Sequence, residues 1–320
     1  MLVVGRRQVE ELLDLDALVD ALAGAMRDLS AGRASVPQRN FALVDRSGLL
    51  AAMPAYLPSQ KVLAAKLVLV FAGNAAKGLD THQAVVAVFD HETGFPLALV
   101  DGASITALRT AAGSALATRL LAREDAKVLA IIGTGVQARS HARALPRVRD
   151  ITSVIVAGRT RERAEAFASE IGAAVAPSYA EAIDAADIVC ACTNASEAVV
   201  RREWLRPGVH VNSVGFAAGP ELEPALFAGA LVAVESRAAA IGRFPNGATD
   251  ISTAVDQGML KVTDIAEIGE LVQGTRSGRT SADQVTIYRS VGVAAQDAAA
   301  AGLVLEAARA RGVGMTVQLD

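Results

Sequence analysis

Gly133 and Gly135, with Ala138 after them, stand in the stretch KVLAIIGTGVQARSHARAL that begins at Lys127. An apolar run, Val128 to Ile132, comes before them and a helical pattern follows, so the order is strand, tight turn, helix. Glycine at the first position permits the turn, and at the second it lets backbone approach a pyrophosphate. A small third residue lets the helix pack on the strand. The start of that helix carries about half a positive charge and free N–H groups, which attract phosphate. This context predicts a dinucleotide-binding turn, with Val136 and Gln137 beside the pyrophosphate or ribose; a purely structural glycine turn is the competing reading.

The next strand, TSVIVAG, ends in Gly158-Arg159-Thr160-Arg161. A site for NAD expects an acid near this tip to bind the ribose diol, and none is there. A cation and a hydroxyl, Arg159 and Thr160, suit a 2′-phosphate instead, where a charge-assisted contact is worth about 1.5–3 kcal/mol. The expected cofactor is therefore NADPH, with NADH possible; the bland alternative is a solvated helix start. Thr193, closing VCACTN, falls at a strand's C-terminal edge, where open α/β sheets bind ligands. Val214 and Gly292 are further candidates beside the nicotinamide.

Such a turn must sit on a regular frame. Strands are expected at 127–132, 152–157, 187–192, 209–214 and 230–234, with helices at 136–145, 161–171 and 179–186. This alternation predicts a doubly wound parallel sheet. Before it, residues 8–30 read as one amphipathic helix or two, and 103–122 as a long Ala-rich helix. Between them, apolar runs at Leu49–Met53, Leu63–Val70, Ala84–Phe89 and Leu97–Val100 read as an antiparallel or mixed sheet. The final segment, VGVAAQDAAAAGLVLEAARARG, is one helix, assigned to the first domain because the strands of the nucleotide domain look complete without it. The domains expected are 1–120 with 294–320, and 121–293.

The bulk numbers narrow the class. The 320 residues suffice for two cores. Hydrophobic residues make up 52%, yet no run reaches the roughly 18 that span a membrane. The net charge of −3, with both signs interleaved, gives no nucleic-acid footprint. The N-terminus lacks a signal-peptide pattern. Cys190 and Cys192, one residue apart in an apolar run, read as free buried thiols of a reducing, cytoplasmic setting. No metal site is expected.

The chain resembles the ornithine cyclodeaminase/mu-crystallin family. The matching pieces are MPAYL (53–57), Lys66, THQ (81–83), TGFPLALVDG (93–102), ITALRTAAGSALA (105–117), GTGVQA (133–138), VNSVG (211–215) and VTIYRSVGVAAQDAAAA (285–301). They run in order over nearly the whole chain. The resemblance implies a Rossmann-type doubly wound parallel sheet plus a smaller α/β substrate-binding and dimerisation domain, in a homodimer that acts on amino acids or their imines. It also implies that Arg39, Lys66 and Arg109 hold a substrate carboxylate. Burial physics agrees for two of them: Arg109 lies in an apolar helix and Lys66 in the run AAKLVLV, where an unpaired charge is costly. A structural ion pair is the alternative for Arg109. A partly desolvated Lys66 could also donate a proton. His82 could bond substrate or cofactor, or serve structure alone.

Two departures from the cyclodeaminase pattern matter. That pattern places acids just before MP and after VGG, where this chain has Ala51-Ala52-Met53-Pro54 and Gly215-Phe216-Ala217-Ala218. Glu221 and Glu223 follow on what reads as the next helix start, as poor replacements. Ammonia loss needs such an acid; hydride transfer to a 2-imino acid needs only a carboxylate clamp, a nicotinamide and a proton source. The expected activity is an NAD(P)H-dependent reductase of 2-imino acids, such as pyrroline- or piperideine-2-carboxylate, reversible as an amino-acid dehydrogenase. Phe216, Ala217 and Ala218 would form an apolar side-chain wall, and no protein acid is expected beside the cations. The competing readings are a cyclodeaminase with bound NAD that takes its acid from elsewhere, such as Asp101 or Glu221, and a non-catalytic NADPH-dependent ligand-binding protein.

Overall fold

The computed structural model describes residues 1–45 and 48–318, so the last two positions of the 294–320 segment lie outside it. The chain divides into two compact units: Met1–Arg109 with the segment from Val293 onward, and Thr110–Gly292.

The first unit contains β1 (Leu2–Val4), α1 (Arg6–Leu12), α2 (Leu15–Ser30), β2 (Asn40–Val44), β3 (Gly48–Leu57), β4 (Val62–Val70), β5 (His82–Phe89) and β6 (Pro96–Asp101). It also holds the start of α3 (Gly102–Leu121), then α10 (Ala294–Arg311) and β15 (Met315–Thr316). Its sheet runs β15-β1-β6-β5-β4-β3-β2, with β2 to β6 an antiparallel meander. Along β3, buried Ala51, Met53, Ala55 and Leu57 alternate with half-buried residues, the period of a strand with one covered face. The helices α2 and α10 pack together, and α10 lies across β3, β4 and β5. On the other face Leu67 and Val85 are 39% and 38% exposed, among half-buried Ala65, Ala87 and Leu99. The helical stretch near the N-terminus is two helices, and α2 is capped by the Asp14 carboxylate, which accepts from Ala17 N at 2.9 Å.

The second unit contains β7 (Val128–Ile132), α4 (Val136–Ala144), β8 (Ser153–Ala157), α5 (Arg161–Ile171), β9 (Ala174–Val175), α6 (Tyr179–Asp184), β10 (Ile188–Ala191) and β11 (His210–Ser213). After these come β12 (Leu231–Val234), α7 (Arg237–Ala240), α8 (Thr249–Asp256), β13 (Ala266–Glu267), α9 (Ile268–Gln273) and β14 (Thr286–Arg289). Its strands are all parallel, in the order β13-β12-β14-β11-β10-β7-β8-β9. The chain leaves β7 for β8 on one side and returns to β10 on the other. The order therefore reverses between β7 and β10, which is where such sheets bind ligands, beyond the carboxyl ends of the strands.

Two expectations need correction. The strands of this sheet are not complete by residue 234, because β14 inserts between β11 and β12 with Thr286 to Arg289 all buried. A four-residue strand covered on both faces offers neither alternation nor length to recognise. Of the two acids expected at a helix start, Glu223 does cap one, the short 3-10 turn Pro224–Phe227, whereas Glu221 lies two residues before that cap. They lie on an extended segment bonded to Val199 and Val200, with Val199 N donating to Glu221 O at 2.9 Å and Glu223 N to Val200 O at 3.0 Å. Among the described residues, no helix is long and apolar enough to cross a membrane.

Candidate active site

In the first unit, Lys66 projects from β4 on the face that α10 covers. Its ammonium lies 2.7 Å from a carboxylate oxygen of Asp297, in the first turn of α10. The other oxygen of Asp297 accepts from Nε of Arg109, on α3, at 3.1 Å. Arg109 Nη1 donates to the Gln296 side-chain oxygen at 2.8 Å, and that oxygen also accepts from Val293 N at 3.2 Å. Lys66, Arg109 and Asp297 are 2%, 6% and 1% exposed, so this is a dry ion triad. Removing one member of such a group typically costs about 3–5 kcal/mol, because it strands the others.

Arg39, just before β2, and His82, at the start of β5, belong to the same neighbourhood. Burial pushes the Lys66 ammonium down to about 8; Asp297 opposes the shift, while the charges of Arg109 and Arg39 add to it. Burial, and then the charge of Lys66, lowers the His82 pKa, which favours a neutral ring, and its Nδ1 lies 3.1 Å from the Thr81 hydroxyl. The structure thus brings together Arg39, Lys66, His82 and Arg109. It also corrects the expectation that no acid stands beside them: Asp297 does, 188 residues after Arg109. The signal was present in VAAQDAAAA, where an acid and an amide interrupt a run of small apolar residues.

In the second unit, Gly133 follows β7 with φ +117°, and a Cβ there would lie 2.5 Å from the Cys192 carbonyl oxygen. Only glycine fits where these strand tips converge. Gly135 caps α4 with no side-chain cap bond, and a Cβ on it would meet nothing within 4 Å. Ala138 is fully buried, as the third position of the turn requires. Val136 is 62% exposed at the start of α4. The Gln137 side-chain oxygen is buried without a hydrogen-bond partner among the described residues. Open space over Gly135, uncapped helix N–H groups and an orphaned amide oxygen fit a pyrophosphate and ribose. Arg159 is exposed at the tip of β8 and makes no ion pair among the described residues. Thr160 caps α5 without a side-chain bond. Both are available to a phosphate.

Buried carboxylates hold the neighbouring strand tips, Glu221 among them rather than at a helix start. Glu221 accepts from Thr193 N at 2.8 Å, Thr193 Oγ1 at 2.6 Å, Ser213 Oγ at 2.7 Å and Gly215 N at 2.7 Å. Its pKa is raised by burial, which Arg289 and the hydrogen bonds oppose. Val214 sits in the same turn and donates from its N–H to Ala191 O at 3.1 Å. Glu235 accepts from Tyr288 Oη at 3.0 Å, Ser290 Oγ at 2.5 Å, Val291 N at 3.2 Å and Gly292 N at 3.2 Å. Asp250 takes both bonds from Nε of Arg289, at 2.9 Å each. Thr193, Val214 and Gly292 therefore share the carboxyl edge of the sheet with Gly133.

The remaining candidates have structural work. Phe216 packs against Phe244, ring centroids 5.1 Å apart. Asp101 accepts from Ser104 N at 2.8 Å at the start of α3. Cys190 and Cys192 are free and buried, with the Cys190 thiol pushed up to about 12, so neither is a thiolate nucleophile at neutral pH.

Known proteins resemble the chain along its length. A Delta(1)-pyrroline-2-carboxylate reductase of Bacillus cereus is 38% identical, over 99% of this chain and 100% of its own. The solved structure of the Thermococcus litoralis Delta(1)-pyrroline-2-carboxylate reductase, in complex with NADH and L-proline, superposes with a TM-score of 0.93 at 35% identity, over 99% of this chain and 100% of its own. An archaeal alanine dehydrogenase dimer with bound NAD superposes with a TM-score of 0.91 at 33% identity, over 100% of this chain and 99% of its own. The ornithine cyclodeaminase/mu-crystallin family matches residues 1–312. With its dinucleotide turn, its buried cations and this match, the chain belongs to the ornithine cyclodeaminase/mu-crystallin family.

Proposed function

We propose that this chain is an NAD(P)H-dependent reductase of 2-imino acids, cyclic ketimines such as pyrroline-2-carboxylate above all, reversible as an amino-acid dehydrogenase. The observation that carries the reading is the buried Lys66–Asp297–Arg109 group with Arg39 and His82 around it. Two buried cations, Lys66 and Arg109, share the one carboxylate of Asp297, and that group's net positive charge suits a substrate carboxylate. Burial brings the Lys66 ammonium down to about 8, so it can release a proton close to neutral pH. Likeness to two pyrroline-2-carboxylate reductases supports the substrate class.

The second unit supplies the cofactor's place: Gly133, Gly135, Val136 and Gln137 for the pyrophosphate and adjoining ribose, Thr193, Val214 and Gly292 toward the nicotinamide. When bound, the reduced dinucleotide supplies a hydride. Arg159 and Thr160 favour a 2′-phosphate, hence NADPH over NADH. Arg109, Lys66 and Arg39 orient the substrate by its carboxylate, which can remove several kcal/mol of barrier. Lys66 gives its proton to the imine nitrogen, is left as a neutral amine and is reprotonated from water. A cyclodeaminase would need an acid free to move protons, and both oxygens of Asp297 already face cations while Glu221 holds strand tips. The uncovered apolar face around Leu67 and Val85 fits a homodimer interface.

The test follows absorbance of the reduced nicotinamide with NADPH and NADH against cyclic imines, and against 2-oxo acids with amine. Stoichiometric cofactor consumption is expected. Ammonia release from ornithine or lysine without net cofactor change would replace the reading with a cyclodeaminase, and ligand binding without either with a carrier.

A further inference from the structure

We propose that Asp297 is the positioning residue of this site: shared between Lys66 and Arg109, its carboxylate keeps the Lys66 ammonium charged and fixes it beside the guanidinium of the carboxylate clamp. The inference rests on the reductase reading above and assigns a role to a residue outside the cation set.

The start of α10 aims Asp297. Gln296 ties Val293 N to the Arg109 guanidinium, and the next residue presents one oxygen to Arg109 and the other to Lys66. A carboxylate in a helix's first turn is also favoured by the helix dipole. The titratable and polar groups that act on Lys66, or that it acts on, are Arg109 and the Thr106 hydroxyl from α3, the hydroxyl 3.5 Å away, Arg39 from the segment before β2, His82 from β5 and Asp297 from α10. Of these, Asp297 alone is negative. Burial, Arg109 and Arg39 all push Lys66 toward the neutral amine, and Asp297 is what opposes them.

A neutral Lys66 cannot protonate an imine. In the productive step a Lys66 N–H bond breaks and an N–H bond forms at the imine nitrogen, while the imine carbon takes the hydride. Asp297 exchanges no proton. It acts through Lys66, so its removal must change when Lys66 is charged, not merely how much enzyme folds.

The test compares wild type with Asp297→Asn and Lys66→Arg in two measurements. The first is kcat/KM for pyrroline-2-carboxylate against pH at saturating reduced cofactor. The second is the proton taken up on binding pyrrole-2-carboxylate, which has the carboxylate but no reducible C=N, by calorimetry in buffers of different ionisation enthalpy. Activity that needs charged Lys66 is present below its pKa and lost as pH rises through it. The wild-type midpoint is expected at about pH 8, and Asp297→Asn should lower it by at least about one pH unit, a tenfold change in the charged fraction at a given alkaline pH. Proton uptake should move down with it and vanish in Lys66→Arg, which keeps the ion pair and does not titrate. An unmoved midpoint in Asp297→Asn would overturn the proposal. If that variant does not fold, Asp297→Glu, which keeps the negative charge, takes its place: a midpoint held close to wild type supports the proposal, and a fall of about one pH unit or more overturns it. Absence of imine turnover with the calorimetric shift intact would sink the reductase reading and leave the Asp297 role standing.

Discussion

Glu221 accepts two hydrogen bonds from Thr193, one from its backbone at 2.8 Å and one from its hydroxyl at 2.6 Å, and so ties the tip of β10 to the turn after β11. The carboxylate is 2% exposed, and a Cβ on Gly215 would lie 2.7 Å from it. Glu221→Ala strands four donors, each worth about 1–3 kcal/mol when buried and unmet. Chemical denaturation should show a loss of several kcal/mol, and Glu221→Gln, which keeps an acceptor, a smaller one. Cofactor titration should show weaker binding in both. Unchanged stability and affinity in the alanine variant would mean the strand tips hold without it.

The two turn glycines separate fold from binding. Gly133→Ala meets the Cys192 carbonyl at a positive φ, so stability should fall by at least about 2 kcal/mol. Gly135→Ala meets nothing, and its φ of −91° is ordinary for any residue. Its stability should hold or rise by about 0.5 kcal/mol, while cofactor affinity drops. Equal affinity for Gly135→Ala and wild type would place the pyrophosphate elsewhere.

Arg159→Asp replaces the exposed cation at the β8 tip with the acid that a ribose diol prefers. The NADPH-to-NADH preference in kcat/KM should fall by about tenfold or more, the worth of one charge-assisted contact. No change in that ratio would remove the 2′-phosphate assignment.

Arg109→Ala removes the proposed substrate contact and one cation beside Lys66. Activity should fall by about a hundredfold or more, as for truncating a buried charge pair. The sign of its pH effect is opposite to that of Asp297→Asn. Arg109 depresses the Lys66 pKa, so without it the alkaline limit should move up. A downward shift, or only a slight loss of activity, would show the clamp to be misplaced.

The open face of the first unit's sheet can be charged without touching the buried face. Leu67→Asp with Val85→Asp places acids at two directly paired, exposed strand positions. Sedimentation should show a dimer for wild type and a monomer for the double variant. A monomeric wild type would end the dimer proposal.

The sequence alone determined five parallel strands of the nucleotide sheet, β7, β8, β10, β11 and β12, the glycine turn, the absence of an acid at the β8 tip and the cations set in apolar runs. These are local features. Period, turn chemistry and the cost of burying an unpaired charge can all be read within a window of a few residues. Only the tertiary structure decided that β14 joins the middle of that sheet, because four residues buried on both faces carry no period. It alone placed Asp297 between Lys66 and Arg109, and turned Glu221 and Glu235 inward on the strand tips. In sequence such acids look like solvated ones. What makes them partners is distance through space, set by how α10 crosses the sheet of the first unit and how the parallel strands of the second bring their tips to one edge.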